Sequence, residues 1–470
     1  MFARMFPLPA GELFFEGSLP EKRLRERAIT ILTAMTKRPG VAMTAAFDDP
    51  RASRNAYNFF QNDRMSLAVL LDTATRALSF KLRELPEGTT VLSVQDTTEI
   101  NLSTQTTMAG LGTLGNVKNH GLMLHPALAV DTDGGPMGLL HAHTWARPPK
   151  ERGKATTRRQ RPFDEKESAR WWDTIAACEA TVRRPGLLLH ISDRESDIFP
   201  LFSRAHEARI RLLVRAAQDR CVEGEHGSLW AHVDSFADSL SQRTIEVSAR
   251  PASKNKPARS AREAVVAIGF GSVVLCAPHG GQGAIPLWAI RVREVAPPAG
   301  EERIEWLLLT SDPIRTEADA WLHVDWYGYR WVIEEYFNVL KNGCRIEARQ
   351  FESREPFEIS LGLSMLAAVD LLALTKRARI APDDPATSVL PADAAQVLRQ
   401  NAASHRRVLP DPLSLHDAVV EIAILGGYQN RSCDGPPGWI TLWRGYQRLR
   451  ALIEGYQLAR AALAGSAGRR

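Results

Sequence analysis

Paired cysteines, long apolar runs, internal repeats and a dominant charge are all missing from this sequence of 470 residues. The five cysteines, Cys178, Cys221, Cys276, Cys344 and Cys433, lie far apart, with no CxxC and no Cys/His ligand spacing. That excludes a disulfide framework and a structural zinc site, and it points to reduced thiols in a cytosolic protein. No run of about 18 apolar residues occurs, and no basic head with a long apolar core opens the chain. A soluble protein that is not exported and has no membrane partner is therefore expected. Lys and Arg number 59 against 54 Asp and Glu, a net charge of +5, so a polyanionic partner must be argued from local clusters. Hydrophobic residues at 44% and charged residues at 24% give an ordinary globular balance, which excludes a disordered chain.

What is present begins with two short basic amphipathic helices. Residues 19 to 39 set Lys22, Arg23, Arg25, Arg27, Lys37 and Arg38 among Leu24, Ala28, Ile31, Leu32 and Met35. Residues 51 to 62 set Arg51, Arg54, Tyr57 and Asn58 beside Phe59 and Phe60. Joined through Pro39-Gly40, they suit a small module that lays cations and amides on a nucleic-acid backbone or groove; read alone, they fit a solvated helix face equally well. A longer helix, Ser66 to Leu85, follows. From Thr89 the period becomes that of strands: Val91 to Gln95 ending on Asp96-Thr97-Thr98, then Leu122 to Val130, then Gly138 to Trp145. The Asp131-Thr132-Asp133-Gly134-Gly135 turn between the last two predicts an antiparallel meander.

Residues 147 to 161, with Arg147, Lys150, Arg152, Lys154, Arg158, Arg159 and Arg161, form an exposed basic loop. A helix opens at Asp164-Glu165-Lys166-Glu167-Ser168. The apolar strand Leu187 to Ser192 ends on Asp193-Arg194-Glu195, a helix starts near Asp197, and Arg211 to Arg215 is another strand. Three strands, helix, strand, helix, strand is the order of a ribonuclease-H-like core. Residues 218 to 305 read as a β-rich insertion of short runs (Thr244 to Val247, Ala264 to Ile268, Ser272 to Cys276, Leu287 to Val292), with a cationic hinge from Arg250 to Arg262. Trp306 to Thr310 resumes the core. A helix from about Glu317 leads to a further helix over 326 to 343, and Leu361 to Arg377 is an apolar helix. A linker at 378 to 392 precedes a helical remainder with a tail carrying Trp439, Trp443, Tyr446 and Tyr456.

The stretch 326 to 343 carries Tyr327, Arg330, Glu334 and Lys341 three, four and seven residues apart, within roughly 60° of one another on a helix. Val332, Ile333, Tyr336, Val339 and Leu340 supply its apolar face. A polar edge is ordinarily solvated surface. Here Asp96 and Asp193 each end a short apolar strand and Glu334 follows the insertion. Three carboxylates brought together repel one another unless hard divalent cations neutralise them.

These residues resemble the bacterial DDE cut-and-paste transposases with the YREK signature, the group that includes the Tn-five transposase. Tyr, two residues, Arg, three residues, Glu, six residues, Lys is matched without a gap by Tyr327, Arg330, Glu334 and Lys341. Asp96-Thr97-Thr98, Asp193-Arg194-Glu195, Trp145-Ala146-Arg147-Pro148, Asp164 to Ser168, Trp306 to Ser311 and the Trp439 to Leu452 tail also match, so the likeness covers nearly the whole chain.

The resemblance implies an α/β fold: a ribonuclease-H-like catalytic core (71–217 and 306–376), a β-rich insertion (218–305), an N-terminal helical DNA-binding module (1–70) and a C-terminal helical dimerisation region (377–470). It implies Asp96, Asp193 and Glu334 as catalytic residues and ligands of two Mg²⁺ ions, for which Mn²⁺ can substitute. Tyr327, Arg330 and Lys341 would hold the backbone phosphates beside the scissile bond. Trp306 would stack a flipped base, its bland reading being a core tryptophan heading a buried strand. Arg215, Lys22 and Arg25 are further DNA-contact candidates. The module matches most loosely at Asn55 and Asn58, so recognition of a particular end sequence does not carry over. The implied partners are double-stranded transposon ends, target DNA and a second copy of the chain, in the bacterial cytoplasm at the nucleoid. Two other classes stay open: a DNA-binding regulator or relic that no longer cuts, and a nuclease on the same fold without strand transfer.

Overall fold

The computed structural model describes residues 7–116, 118–148, 161–239, 241–252, 258–278, 283–388, 390–431, 434–435 and 437–467. Lys150, Arg152, Lys154, Arg158 and Arg159 of the basic loop, part of the 250 to 262 hinge, most of the Gly280 to Gly283 turn and Cys433 lie outside the described residues.

One mixed sheet organises the molecule. Its strands are β1 (Val91–Gln95), β2 (Thr98–Asn101), β3 (Gly112–Thr113), β4 (His120–Val130), β5 (Pro136–Trp145), β6 (Leu188–Ser192), β7 (Arg211–Arg215), β8 (Gln242–Val247), β9 (Arg262–Cys276), β10 (Ala284–Glu294) and β11 (Glu305–Thr310). β5 pairs with β4, β4 with β1, β1 with β6 and β6 with β7; the first two pairings are antiparallel and the last two parallel. In core-strand numbering this is 3-2-1-4-5, with helices linking the parallel strands, and it is the arrangement of a ribonuclease-H-like core. β2 continues β1 along the same edge of β4 after a break at Asp96 and Thr97. β11 then pairs antiparallel with β7, and β10, β9 and β8 extend the sheet beyond it. The strands β8 to β10 are thus continuous with the core sheet.

The helices are α1 (Ala10–Leu13), α2 (Lys22–Lys37), α3 (Met43–Ala46), α4 (Pro50–Phe60), α5 (Leu67–Arg83), α6 (Arg170–Val182), α7 (Phe199–Ala208), α8 (Leu229–Asp234), α9 (Glu317–Gly328), α10 (Trp331–Asn338), α11 (Arg354–Ile380), α12 (Ala392–Ser404), α13 (Leu415–Leu425) and α14 (Trp439–Ala467). Asp49 and Ser66 cap α4 and α5 by accepting from Arg51 N–H and Val69 N–H, and Thr316 with Asp319 forms a capping box on α9.

Both faces of the sheet are buried, which explains why β1 and β6 read as apolar runs. Successive side chains point to opposite faces: Leu212 and Val214 of β7 join one cluster with Trp171, Phe202, Leu307 and Leu309, whereas Leu213 and Leu308 join the other. That second cluster also takes in Leu24, Ile31 and Met35 of α2 and Leu363 to Ala368 of α11, so the N-terminal helices share the core of the catalytic sheet. α11 is long and apolar enough to cross a membrane, but 78% of its most apolar stretch is buried within the protein, and it is a core helix.

Four readings of the sequence need correction. The stretch 326 to 343 is not one helix. α9 ends at Gly328, Arg330 N–H bonds back to the Tyr327 carbonyl, α10 starts at Trp331, and Val339–Gly343 is a π-helical turn. Glycine weakens the helix at the first break, and the wider turn brings Cys344 N–H to the Val339 carbonyl at 2.8 Å. The runs at 264–268 and 272–276 are one strand: Gly269 and Gly271 make no turn. Their missing side chains make room for Phe236, whose ring would meet a Cβ on Gly271 at 2.8 Å. Asp164 to Ser168 forms two 3₁₀ turns before α6, and β2 and β3, short and polar, were not anticipated.

Candidate active site

The register of two parallel strands builds the site. Val94 of β1 lies opposite Ile191 of β6, and the same register carried two residues on sets Asp96 opposite Asp193. Adjacent strands lie about 4.8 Å apart, so the two carboxylates leave the C-terminal edge of the sheet side by side. Each is fixed by its own turn. Thr97 N–H donates to Asp96 Oδ1 at 2.7 Å, and Glu195 N–H donates to Asp193 Oδ1 at 2.8 Å.

Glu334 approaches on α10, which packs against β1. Arg330 links it to the strand end: its Nη1 donates to Asp96 Oδ2 at 3.2 Å and its Nη2 to Glu334 Oε1 at 2.7 Å. The guanidinium therefore stands as the cation between two of the three carboxylates. Burial pushes the Asp96 carboxyl from 3.8 up to about 6; Thr97 N–H and Arg330 oppose the rise, and the charges of Asp193 and Glu334 add to it. Burial works against the charge on Arg330, but its bond to Glu334, with Tyr327 and Asp96, outweighs that and raises its pKa.

Of the other expected residues, Tyr327 feels the charges of Arg330 and Asp193. Tyr327, in the last turn of α9, lies beside Arg215 of β7, and burial raises the phenol and lowers the arginine. Lys341 sits half-buried on the π-helical turn, its pKa lowered by burial against the pull of Glu347 and Glu99. Trp306, the second residue of β11, lines a cavity of about 570 Å³ with Arg194, Arg215 and Trp230. Lys22 and Arg25 lie on α2, away from this group. Lys22 is exposed with Glu26 at 3.9 Å, and Arg25 Nε donates to the Phe14 carbonyl at 2.6 Å, inside the module.

Three oxygen donors of this kind suit a hard divalent cation. The structure brings Asp96 and Asp193 together and holds Glu334 through Arg330. Among the described residues, no three His, Cys, Asp or Glu side chains converge closely enough to hold a metal. Sequence reasoning missed Arg170, His125 and Gln95, which surround Thr97; Arg170 stands two residues after the Asp164 to Ser168 block, which was the only signal for it.

A ribonuclease-H-like sheet with paired strand-end aspartates defines a phosphoryl-transfer core. Comparison with known families is more specific. Residues 12–65 match the family described as Transposase DNA-binding, and residues 151–369 match the Transposase DDE domain. The chain therefore carries two segments similar to transposase domains, one of the DNA-binding kind and one of the DDE kind. The DDE match includes Asp193 and Glu334, and Asp96 precedes it. Among solved structures, the cryo-EM structure of the piggyBac transposase synaptic complex with hairpin DNA is similar at a TM-score of 0.35 and 10% identity, covering 97% of this chain and 79% of that one. So loose a likeness adds nothing to the assignment.

Proposed function

We propose that this chain is a cut-and-paste transposase of the YREK type, which nicks DNA at the element ends by water attack, frees the element through a hairpin, and joins its 3′-hydroxyls to target DNA. One observation carries the reading: the strand register that sets Asp96 beside Asp193, with Glu334 tied to Asp96 through Arg330. Asp96, Asp193 and Glu334 would hold two Mg²⁺ ions, or Mn²⁺ in their place, and the ions would supply activation of the attacking oxygen and stabilisation of the leaving one. Arg330 turns its planar fork from the carboxylates to a backbone phosphate, Lys341 adds a point charge and Tyr327 one hydrogen bond. Trp306 stacks a base flipped from the end, and Arg215 steadies Tyr327 beside it. Residues 1–70, with Lys22 and Arg25, bind the ends; the core at 71–217 and 306–376 cuts; 218–305 form the insertion; 377–470 join two copies as a homodimer on two ends. Its place of work is the bacterial cytoplasm, at the nucleoid.

The test is Glu334→Ala on duplexes carrying the inverted ends that flank this reading frame. Nicking in Mg²⁺ should be abolished and end binding kept; undiminished nicking would sink the assignment. The lack of three converging ligands among the described residues favours one rival, an end-binding regulator that does not cut. Excision of a matched-end substrate by the purified wild-type protein excludes that rival, and joined products exclude a nuclease without strand transfer.

A further inference from the structure

Beside the two aspartates lies a chain of polar side chains for which the proposed reaction has no role. Arg170, the first residue of α6, donates from Nε to Thr97 Oγ1 at 2.8 Å and from Nη2 to Glu195 Oε2 at 2.7 Å. Its Nη1 is anchored on the Glu167 carbonyl at 3.0 Å. Thr97 and Glu195 are the residues whose backbone N–H groups hold Asp96 and Asp193. One guanidinium fork therefore ties together the two turns that aim the two carboxylates.

The far end of the chain fixes the fork's acceptor. Arginine only donates, so Thr97 Oγ1 accepts from Arg170, and the same hydroxyl is hydrogen-bonded to His125 Nδ1 at 2.8 Å. His125 Nε2 is hydrogen-bonded in turn to Gln95 at 3.1 Å. Burial agrees with a neutral ring: His125 is fully enclosed, with Trp171 edge-on at 4.7 Å. Thr97 is thereby held between Arg170 and His125, and His125 between Thr97 and Gln95. Gln95 and Thr97 flank Asp96 in sequence, so the carboxylate is held from both sides.

We infer that Arg170 and the Thr97–His125–Gln95 chain are positioning residues that set the spacing and aim of Asp96 and Asp193. The inference rests on the proposed role of those aspartates. It predicts an effect on the chemical step and none on DNA affinity, because His125 is buried and Thr97 and Arg170 are held by protein partners. Loss of a group that orients a carboxylate ligand typically costs about 10- to 100-fold in activity.

Thr97→Val is the sharpest probe, since it keeps the shape and the backbone N–H while removing the hydroxyl; Thr97→Ser restores the hydroxyl. On duplexes carrying the flanking inverted ends, T97V should slow single-turnover nicking by about 10- to 100-fold, and T97S should recover most of the rate. End-binding Kd and the melting temperature should match the wild type in both. Arg170→Lys, which cannot bridge both turns, should slow nicking comparably, and the T97V/R170K double variant should lose little more than either single change. Wild-type nicking by T97V, an equal loss in T97S, or multiplicative losses in the double variant would overturn the inference. A melting temperature that falls in step with the rate would reduce Thr97 to a structural role and overturn it too. Glu334→Ala run beside them separates the two levels: if that variant still nicks, the function assigned to the site has failed, not the positioning chain alone.

Discussion

Arg330 stands at the meeting point of two demands. An arginine stays charged at any working pH, so it neutralises Asp96 and Glu334 in the DNA-free protein without help from a metal. The same charge opposes a second cation at that place. Replacing Arg330 with Met leaves Asp96 and Glu334 without a shared counter-ion, and a divalent ion becomes the available one. R330M should therefore bind Mn²⁺ in the absence of DNA about 10-fold more tightly than the wild type, a difference of about 1.4 kcal/mol. Metal titration followed by melting temperature measures it, and equal Mn²⁺ stabilisation of both proteins would refute the competition. The Tyr, Arg, Glu and Lys spacing was legible in the sequence because it is a matter of counting. That Arg330 faces two carboxylates was not, since spacing along one chain says nothing of Asp96, which lies 234 positions away.

Between elements, Asp312 does for the end of β7 what Arg170 does for the catalytic turns. Arg211 donates to both its oxygens, at 2.9 and 2.6 Å, and His323 of α9 lies 3.1 Å away. Burial alone would raise the carboxyl, but Arg211 and His323 outweigh it and hold it down to about 2 from 3.8. A depressed carboxylate pKa gives stability that is fully present above the ordinary value and drains away as pH falls through the folded one. At about 1.36 kcal/mol per unit, the contribution is roughly 2 kcal/mol at pH 7. Asp312→Asn should lower the unfolding free energy from urea titration at pH 7 by that amount, and the gap should shrink to about half near pH 3. A gap independent of pH would show that packing, not charge, links β7 to α9. At this scale the sequence was legible where periodicity is strong: β1, β4, β5, β6 and β7 are apolar runs with turn residues at their ends. It was not legible where a neighbour decides. Gly269 and Gly271 look like a break until Phe236 is seen to occupy the space beside them, and Gly328 interrupts a helix whose apolar face continues past it.

Across the molecule, the C-terminal helices have a core of their own: Leu390, Leu398, Leu413, Ile422, Leu442 and Leu449 form a cluster separate from the two that sandwich the sheet. α13 and α14 cross so closely that a Cβ on Gly445 would overlap the Ile422 carbonyl oxygen, and one on Gly426 would overlap the Thr441 carbonyl. Neither obstacle is the end of a flexible side chain, so the backbone itself must move to admit one. Gly445→Val should separate α14 from α13 at a cost of about 1–3 kcal/mol or more. Since the cluster shares few side chains with the sheet, the loss should appear as an early melting step, with the main transition in place. The same helix touches the N-terminal module, where Arg38 reaches Glu454 at 3.2 Å and Gln447 Nε2 donates to the Pro39 carbonyl at 3.2 Å. Two consequences then separate by experiment. If the C-terminal cluster joins two copies of the chain, G445V should still bind one end duplex in a gel-shift assay while failing to form the slower complex of two ends. If its main work is to steady the module through Arg38 and Pro39, binding to a single end should weaken as well, and the dimer contact would have to be sought elsewhere.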